Sequence, residues 1–575
     1  MNPRVGILTS PARFPAETYG FWPEESSRFL RYYAVWEFNA FCWISLFVVT
    51  YVLFVRVFEL FKLWFQARKL TGPPCDGFSG HSALLSGANL TDVISNTHEK
   101  YGSIVKLWLS PASLLVSIKD PELIKQVLLK AEDKLPVGRK VLRMAFGRSC
   151  LFASSFDELQ ERRQLLTAEF DRRSLEIANG LPSKLLGSII GQMNLAGGGL
   201  DCNVVAQHMA FTLLGSLLYG EAFLGWNKAT IYKDMLLKIV EGSRFCTSYR
   251  ITPIWNREFW RYRKLCTTYK CLTNDILQRC RMCCMLPSSA DERSHDKPDG
   301  SEVEHYHGVP NQTTGLSFSG SVLDYGSSKQ FNGHPDPREE LYGNITTVMF
   351  HGFFTTADLI GNVLASLVAH PEIQNELYSE MVALRKASTK QDEHDVHHMH
   401  LLLATIYESA RLQPARPLLQ RCLKHDLCLK NGTTIPAGAI VVVPVQLVQT
   451  DPSIWGCDAT KFNPYRFLSQ ASDTVHDSSL TGSQKDEGET SPAKFVLKDP
   501  KEDITLLSFG GGLRSCLGEK FVIQGVASLL ASLLEHYEIK SQPGSKQKQE
   551  PSQAGDNYVI RLPQNPEIAL VPRTN

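Results

Sequence analysis

From Phe38 to Val55 the stretch FNAFCWISLFVVTYVLFV holds no charged residue. As a helix rising about 1.5 Å per residue it reaches roughly 27 Å, close to the hydrocarbon thickness of a bilayer. A cleaved signal peptide fits poorly, because the stretch starts late, is rich in aromatics and lacks a small-residue cleavage site. A buried core helix would show a polar or charged face. The pattern therefore predicts a transmembrane anchor over 38–56. Arg56, Lys62, Arg68 and Lys69 follow it, and Arg28 and Arg31 precede it. The positive-inside rule then puts the C-terminal body in the cytosol and residues 1–37 in the lumen. Residues 57–80 read as a basic, then Pro/Gly-rich linker ending in LTGPPCDGFSG.

Helical apolar spacing dominates the rest. Short strand patterns interrupt it at SIVKLWL, at SLLVSI before Asp120–Pro121, and at TTIPAGAIVVVPV from Thr433 to Val445. The expectation for 81–575 is one mainly α body with a minor β-sheet region. Two stretches, 288–339 and 471–492, are rich in Ser, Gly, Asp and other polar residues. They bury too little apolar surface to offset ordering entropy, so they read as disordered insertions. Ser541 to Asn557 reads as a long polar turn.

Composition narrows the function. The 575 residues carry a formal net charge of +1, which argues against a nucleic-acid binder with its basic field. Fourteen cysteines are scattered without the spacing of a disulfide scaffold, which suits a reduced body. Cys280, Cys283 and Cys284 lack the second Cys or His pair that zinc wants and read as a helix end. His394, His397, His398 and His400 read as a solvated connector.

The densest chemistry is FGGGLRSCLGEKF, Phe509 to Phe521. Helical spacing begins just after Cys516, so the thiol sits at a helix start, where unpaired N–H groups favour a thiolate. The glycines allow close backbone approach to something large and flat. Arg514 can clamp a carboxylate. A flat ligand with iron and carboxylate arms is haem, and an axial thiolate favours O–O cleavage.

Phe509, Gly512, Arg514, Cys516 and Gly518 match F-x-x-G-x-R-x-C-x-G in full, and the chain resembles the cytochrome P-450 superfamily. The resemblance implies the P-450 fold and haem b with Cys516 as thiolate ligand. It also implies that Phe509 shields the sulfur and that Arg514 binds a propionate. Glu408 and Arg411 in YESAR, with Arg466 in WGCDATKFNPYRF, match the family's buried triad; Tyr465 stands where the family usually has Glu. Arg421 matches a propionate-binding position. DELQERRQLL aligns with the W-x-x-x-R helix, with Leu159 for Trp and Arg163 for Arg. In the helix from Asn344 to His370, Gly352, Thr355 and Thr356 match the oxygen-side pattern, while His351 replaces a small residue and Phe354 the proton-feeding acid.

The implied function is a membrane-anchored haem-thiolate monooxygenase in the endoplasmic reticulum. It would take O2, a hydrophobic small molecule and electrons from a separate NADPH-cytochrome P-450 reductase docked on the Cys516 face. Pocket residues are expected within 135–152, 350–354 and 415–419. The contexts 454–467 and 506–521 look most like plant members. Two alternatives stay open: a family member that rearranges or dehydrates peroxides without a reductase, and a haem-binding protein without catalysis.

Overall fold

The computed structural model describes residues 24–75, 80–81, 90–130, 139–147, 150–151, 156–178, 185, 187, 189, 191, 200–247, 255–285, 337–387, 396–470, 495–499, 506–542 and 567–573. The expected insertions fall outside these residues, except that 337–339 open a long helix. Nearly all of the expected turn over 541–557 also lies outside them. The chain divides into two units, Met1–Gln66 and Ala67–Asn575.

The described part of the first unit is helix α1, Glu24–Ala67, all but its last residue. Its segment Tyr32–Ala67 is long and apolar enough to cross a membrane, and its side chains are almost all exposed. The helix runs on past residue 56, with Arg56 and Glu59 paired one turn apart at 3.3 Å. At 44 residues it is about 66 Å long, more than a bilayer's hydrocarbon core requires.

The second unit is mainly helical. Its helices are α2 (Leu90–Tyr101), α3 (Pro121–Lys130), α4 (Arg139–Phe146), α5 (Phe156–Ala178), α6 (Cys202–Tyr219), α7 (Glu221–Leu224), α8 (Ala229–Thr247), α9 (Arg257–Met285) and α10 (Pro337–Ala369). Then come α11 (Pro371–Ala387), α12 (His400–Leu412), α13 (Val445–Gln449), α14 (Pro452–Trp455) and α15 (Glu519–His536). The strand patterns become β1 (Ile104–Ser110) and β2 (Ser113–Ile118), an antiparallel pair. Two-residue β3 (Leu200–Asp201) precedes α6. Next come β4 (Leu418–Cys422), β5 (Leu427–Cys428), β6 (Thr434–Ile435) and β7 (Ile440–Pro444). The main sheet has order β1-β2-β7-β4, with β2 and β7 parallel and Leu115 opposite Ile440. β7 is an inner strand, flanked by β2 and β4, and four of the five residues of its apolar run IVVVP are buried, so both of its faces are covered. The cysteines at 280, 283 and 284 lie in the last turns of α9, as their spacing suggested.

The core forms where α10 lies along α6, with α12 and α15 against them. α10 is apolar and long enough to span a membrane, yet it is mostly buried in protein, which marks it as a core helix. Gly352 allows the close crossing: a Cβ there would stand 3.0 Å from Leu214 Cδ1 of α6.

Candidate active site

The cysteine loop is held by its own backbone and by α12 and α13. Leu507 N–H donates to Gln449 Oε1 at 2.6 Å, and Ser508 Oγ donates to Ala410 O at 2.6 Å. Cys516 N–H then closes the loop onto Phe509 O at 2.7 Å. The Phe509 ring meets Tyr407 edge-on, centroids 6.3 Å apart. Within this frame Cys516 is exposed, two residues ahead of the Gly518 that caps α15.

The glycines serve a different purpose from the one their sequence suggested. Gly512 has φ +64°, and a Cβ there would lie 2.2 Å from the Leu128 carbonyl oxygen of α3. A Cβ on Gly511 would lie 2.9 Å from Leu128 Cδ1, and one on Gly518 3.4 Å from Phe170 of α5. What approaches these three glycines is protein, which fixes the loop between α3 and α5. The exposed face at Cys516 is left clear.

Three arginines surround the loop. Arg514 is buried. Arg421 on β4 is buried too, with Nε lacking a hydrogen-bond partner. Burial, and then repulsion by Arg514, push its guanidinium down to about 10. Arg163 on α5 donates Nη2–H to Ser515 O at 2.8 Å. Burial lowers it as well, opposed by attraction to Cys516. Leu159, where the family has Trp, is buried.

Behind the loop lies the charge cluster. Glu408 and Arg411 are fully buried and form two hydrogen bonds, Nε to Oε2 at 2.7 Å and Nη2 to Oε1 at 2.8 Å. Arg411 Nη1 donates to the Gln449 and Ala459 carbonyls at 2.5 and 2.6 Å. Arg466 Nε joins Glu408 Oε1 at 3.2 Å. Two arginines on one glutamate leave a surplus positive charge, and Asp458 supplies the counter-charge: its Oδ2 lies 3.0 Å from Arg466 Nη2. Sequence reasoning missed Asp458, although charge balance across the same WGCDATKF segment was an available signal. Tyr465 points elsewhere and hydrogen-bonds Glu376 of α11.

On α10, Thr355 is partly exposed and its Oγ1 donates to His351 O at 2.9 Å. The hydroxyl thus bonds back to the preceding turn, as the sequence suggested. Thr356 is buried, with Oγ1 unpartnered. Phe350, Phe353 and Phe354 are core side chains, with Phe354 5.2 Å from Phe350 and 4.8 Å from Phe353 by ring centroids. Of the stretch 350–354, where pocket residues were expected, only His351 and Gly352 are partly exposed. An acid is nevertheless present one turn on. Asp358 is 3% exposed, and burial pushes its carboxyl up to about 8 against the pull of Arg416. Asp358 was not singled out in the sequence, and Arg416 only as part of the expected pocket stretch 415–419.

A family model described as Cytochrome P450 matches residues 73–569. The chain belongs to this family. It is 23% identical over 486 residues to Cytochrome P450 4F11 of Homo sapiens, covering 81% of this chain and 83% of that protein. It is 24% identical to Cytochrome P450 monooxygenase 91 of Postia placenta over 82% of this chain and 87% of the relative. It is also 24% identical to Cytochrome P450 72A397 of Kalopanax septemlobus over 80% and 82%. Human, fungal and plant relatives thus match alike, and the expected closeness to plant members gains no separate support. The chain is a cytochrome P450 monooxygenase, and its family's cofactor is haem with a cysteine thiolate as axial ligand.

The residues present fit that group. Cys516 is an exposed thiol in a pinned loop, and the buried Arg421, with its orphaned Nε beside Arg514, calls for an anion such as a propionate.

Proposed function

We propose that this P450 is a membrane-anchored, reductase-dependent monooxygenase for hydrophobic small molecules, with Cys516 as the thiolate that holds haem. The observation that carries the reading is the pairing of an exposed Cys516 in a hydrogen-bonded loop with buried, mutually repelling Arg421 and Arg514. When bound, the haem supplies the activation of O2 that puts one oxygen atom into substrate and the other into water, with two electrons originating in NADPH.

The chain's own residues do the rest. Arg514 and Arg421 hold the carboxylate arms. Arg163, bonded to Ser515 O, steadies the loop and lies at the same edge. Phe509, set by Tyr407, keeps water from the sulfur. Gly512 and Gly518 seat the loop on α3 and α5. Thr355 holds water or oxygen with its hydroxyl, Thr356 supports the same turn, and Gly352 keeps α10 close to α6. Glu408, Arg411, Arg466 and Asp458 brace the loop from behind. An open groove lined by Gln160, Arg163, Gln164, Thr167, Gly512 and Leu513 gives a reductase a surface beside the cysteine loop. α1 supports a single-pass anchor in the endoplasmic reticulum, with residues 1–37 lumenal, 38–56 in the bilayer, 57–80 as linker and the body in the cytosol.

The test is to record the reduced, CO-bound spectrum and then measure NADPH consumption with purified NADPH-cytochrome P450 reductase over a lipid and terpenoid panel. A thiolate-type band with reductase-dependent product supports the reading. A thiolate-type band with turnover of hydroperoxides alone, or with none, moves the protein to a peroxide-rearranging or non-catalytic role.

A further inference from the structure

A cavity of about 120 Å³ lies among α6, α7 and the start of α8. None of its lining residues belongs to α10, to β4 or to the cysteine loop. One wall is aromatic and firmly set. The chain turns at Gly220, φ +61°, between α6 and α7. The turn lays Phe223 so close on α6 that a Cβ on Gly215 would overlap its ring. Phe211 of α6 meets Phe223 edge-on, with centroids 5.1 Å apart. Trp226 is buried, and its Nε1–H donates to Asp275 Oδ2 of α9 at 3.0 Å. Its one polar group is thereby spent, so toward the cavity it offers apolar surface alone.

The polar part of the lining is Lys233 of α8 with His208 of α6. Lys233 Nζ lies 3.2 Å from His208 Nε2. An ammonium only donates, so Nε2 accepts, and the imidazole is neutral with its proton on Nδ1. Both side chains are half-buried. Burial pushes His208 below the usual histidine range, and repulsion by Lys233 adds to it. Burial also lowers Lys233, against the pull of Asp234. Among the described residues, Lys233 has His208 as its one hydrogen-bond partner and no carboxylate within ion-pair distance. One ammonium N–H goes to His208, which leaves two donors at the cavity wall. Leu224, Asn227 and Thr230 also line the cavity and are exposed, so it opens to solvent.

A half-buried cation gains from a counter-ion, and an aromatic wall gains from covering by an apolar group. A ring bearing a carboxylate supplies both. Size agrees, since an apolar cavity of about 150 Å³ takes benzene, and here the open mouth adds room. We infer that this cavity is a binding site for a small aromatic carboxylate. Its ring lies against Phe211, Phe223 and Trp226, and its carboxylate meets Lys233, which His208 holds in place. The site is independent of the chemistry at Cys516.

The test is calorimetry on the full-length, haem-loaded protein in detergent, with benzoate and the neutral benzamide as probes and the Soret spectrum followed in parallel. Benzoate is expected to bind with a Kd of about 1 mM or below, as suits so small a ligand. It should bind about tenfold or more tightly than benzamide, the scale of a charged hydrogen bond. Lys233→Met should abolish that preference, and Lys233→Arg should keep most of it. Ala229→Phe fills the cavity from its lining and leaves Lys233 in place, so it should weaken benzoate as much as Lys233→Met does. No saturable binding of benzoate by the wild type, equal binding of acid and amide, or a preference that survives Lys233→Met overturns the inference. A benzoate-dependent Soret shift that persists in Lys233→Met and Ala229→Phe also overturns it, because it places the acid at the haem. If Lys233→Met fails to fold, Ala229→Phe decides: wild-type affinity for benzoate in that variant overturns the inference, and lost affinity at wild-type haem content supports it.

Discussion

The two sides of the site are built on opposite principles. The sulfur side is one contiguous stretch, 507–518, whose polar groups are tied within the fold: Leu507 and Ser508 to Gln449 and Ala410, Cys516 to Phe509 O, Arg163 to Ser515 O. On the oxygen side, Thr356 Oγ1, Asp358 Oδ1, Asn362 Oδ1 and Arg416 Nε are buried without partners. Buried polar atoms are nearly always paired in folded proteins. These exceptions sit on α10 and on the connector after α12, within reach of polar partners that the fold itself does not supply. In the proposed function, the pinned side holds the resident cofactor and the other side meets the molecules that come and go. Arg421 Nε, beside the cysteine loop, is likewise unpartnered, and the proposed function gives it a haem propionate.

The strongest way to break this contrast is to exchange a residue from each side. Cys516→Ser is expected to lose the thiolate-type CO band and all reductase-supported turnover. Thr355→Ala is expected to keep the band and waste NADPH, read as a lower ratio of product to NADPH consumed. If Thr355→Ala leaves that ratio unchanged, Thr355 has no part in handling oxygen.

Next in size is the brace behind the sulfur. Glu408→Ala leaves Arg411 buried without its partner and is expected to cost about 3–5 kcal/mol, seen as a large fall in thermal midpoint and haem-loaded yield. A fall equal to that of an exposed-site control would contradict the bracing role.

Gly512→Ala sharpens the claim that the loop glycines face protein. Positive φ costs a non-glycine residue about 1–2 kcal/mol, and the new methyl would press on the Leu128 carbonyl. Destabilisation should appear in the haem-free protein as well. An effect confined to haem affinity would return the glycine to the porphyrin face.

The remaining expected effect is a pH dependence. Burial raises the Asp358 carboxyl from 3.8 to about 8 and Glu380 from 4.5 to about 7. The fold therefore retains protons that the unfolded chain releases above these ordinary values. Stability from these two groups is greatest below about 4 and is lost as pH rises toward 8. Asp358→Asn should flatten the upper part of that loss in denaturant midpoints measured from pH 5 to 8. An identical slope in variant and wild type would show that Asp358 is ionised throughout.

Much of the site was legible because its signals are local. Cys516 and its loop, the Glu408–Arg411 spacing, the strands of the main sheet and the helix bearing Thr355 all lie in short continuous patterns. Contacts between distant segments were not legible. Asp358 and Arg416 are separated by a helix and a turn, and each alone looks like an ordinary charge. Phe354 stands in register with the expected acid, yet helical rotation turns it into the core among Phe350 and Phe353. Gly512 was recognised as necessary, but its neighbour Leu128 comes from α3, far away in sequence. Asp458 was passed over because the triad was matched by pattern and its charge was not balanced.

The most direct test of the whole account is the reduced, CO-bound difference spectrum of the purified wild-type protein, recorded beside Cys516→Ser at equal haem content. The account predicts the red-shifted thiolate-type band in the wild type and its absence in the variant. A wild type without that band, or a variant that keeps it, would contradict Cys516 as the ligand around which the site is built.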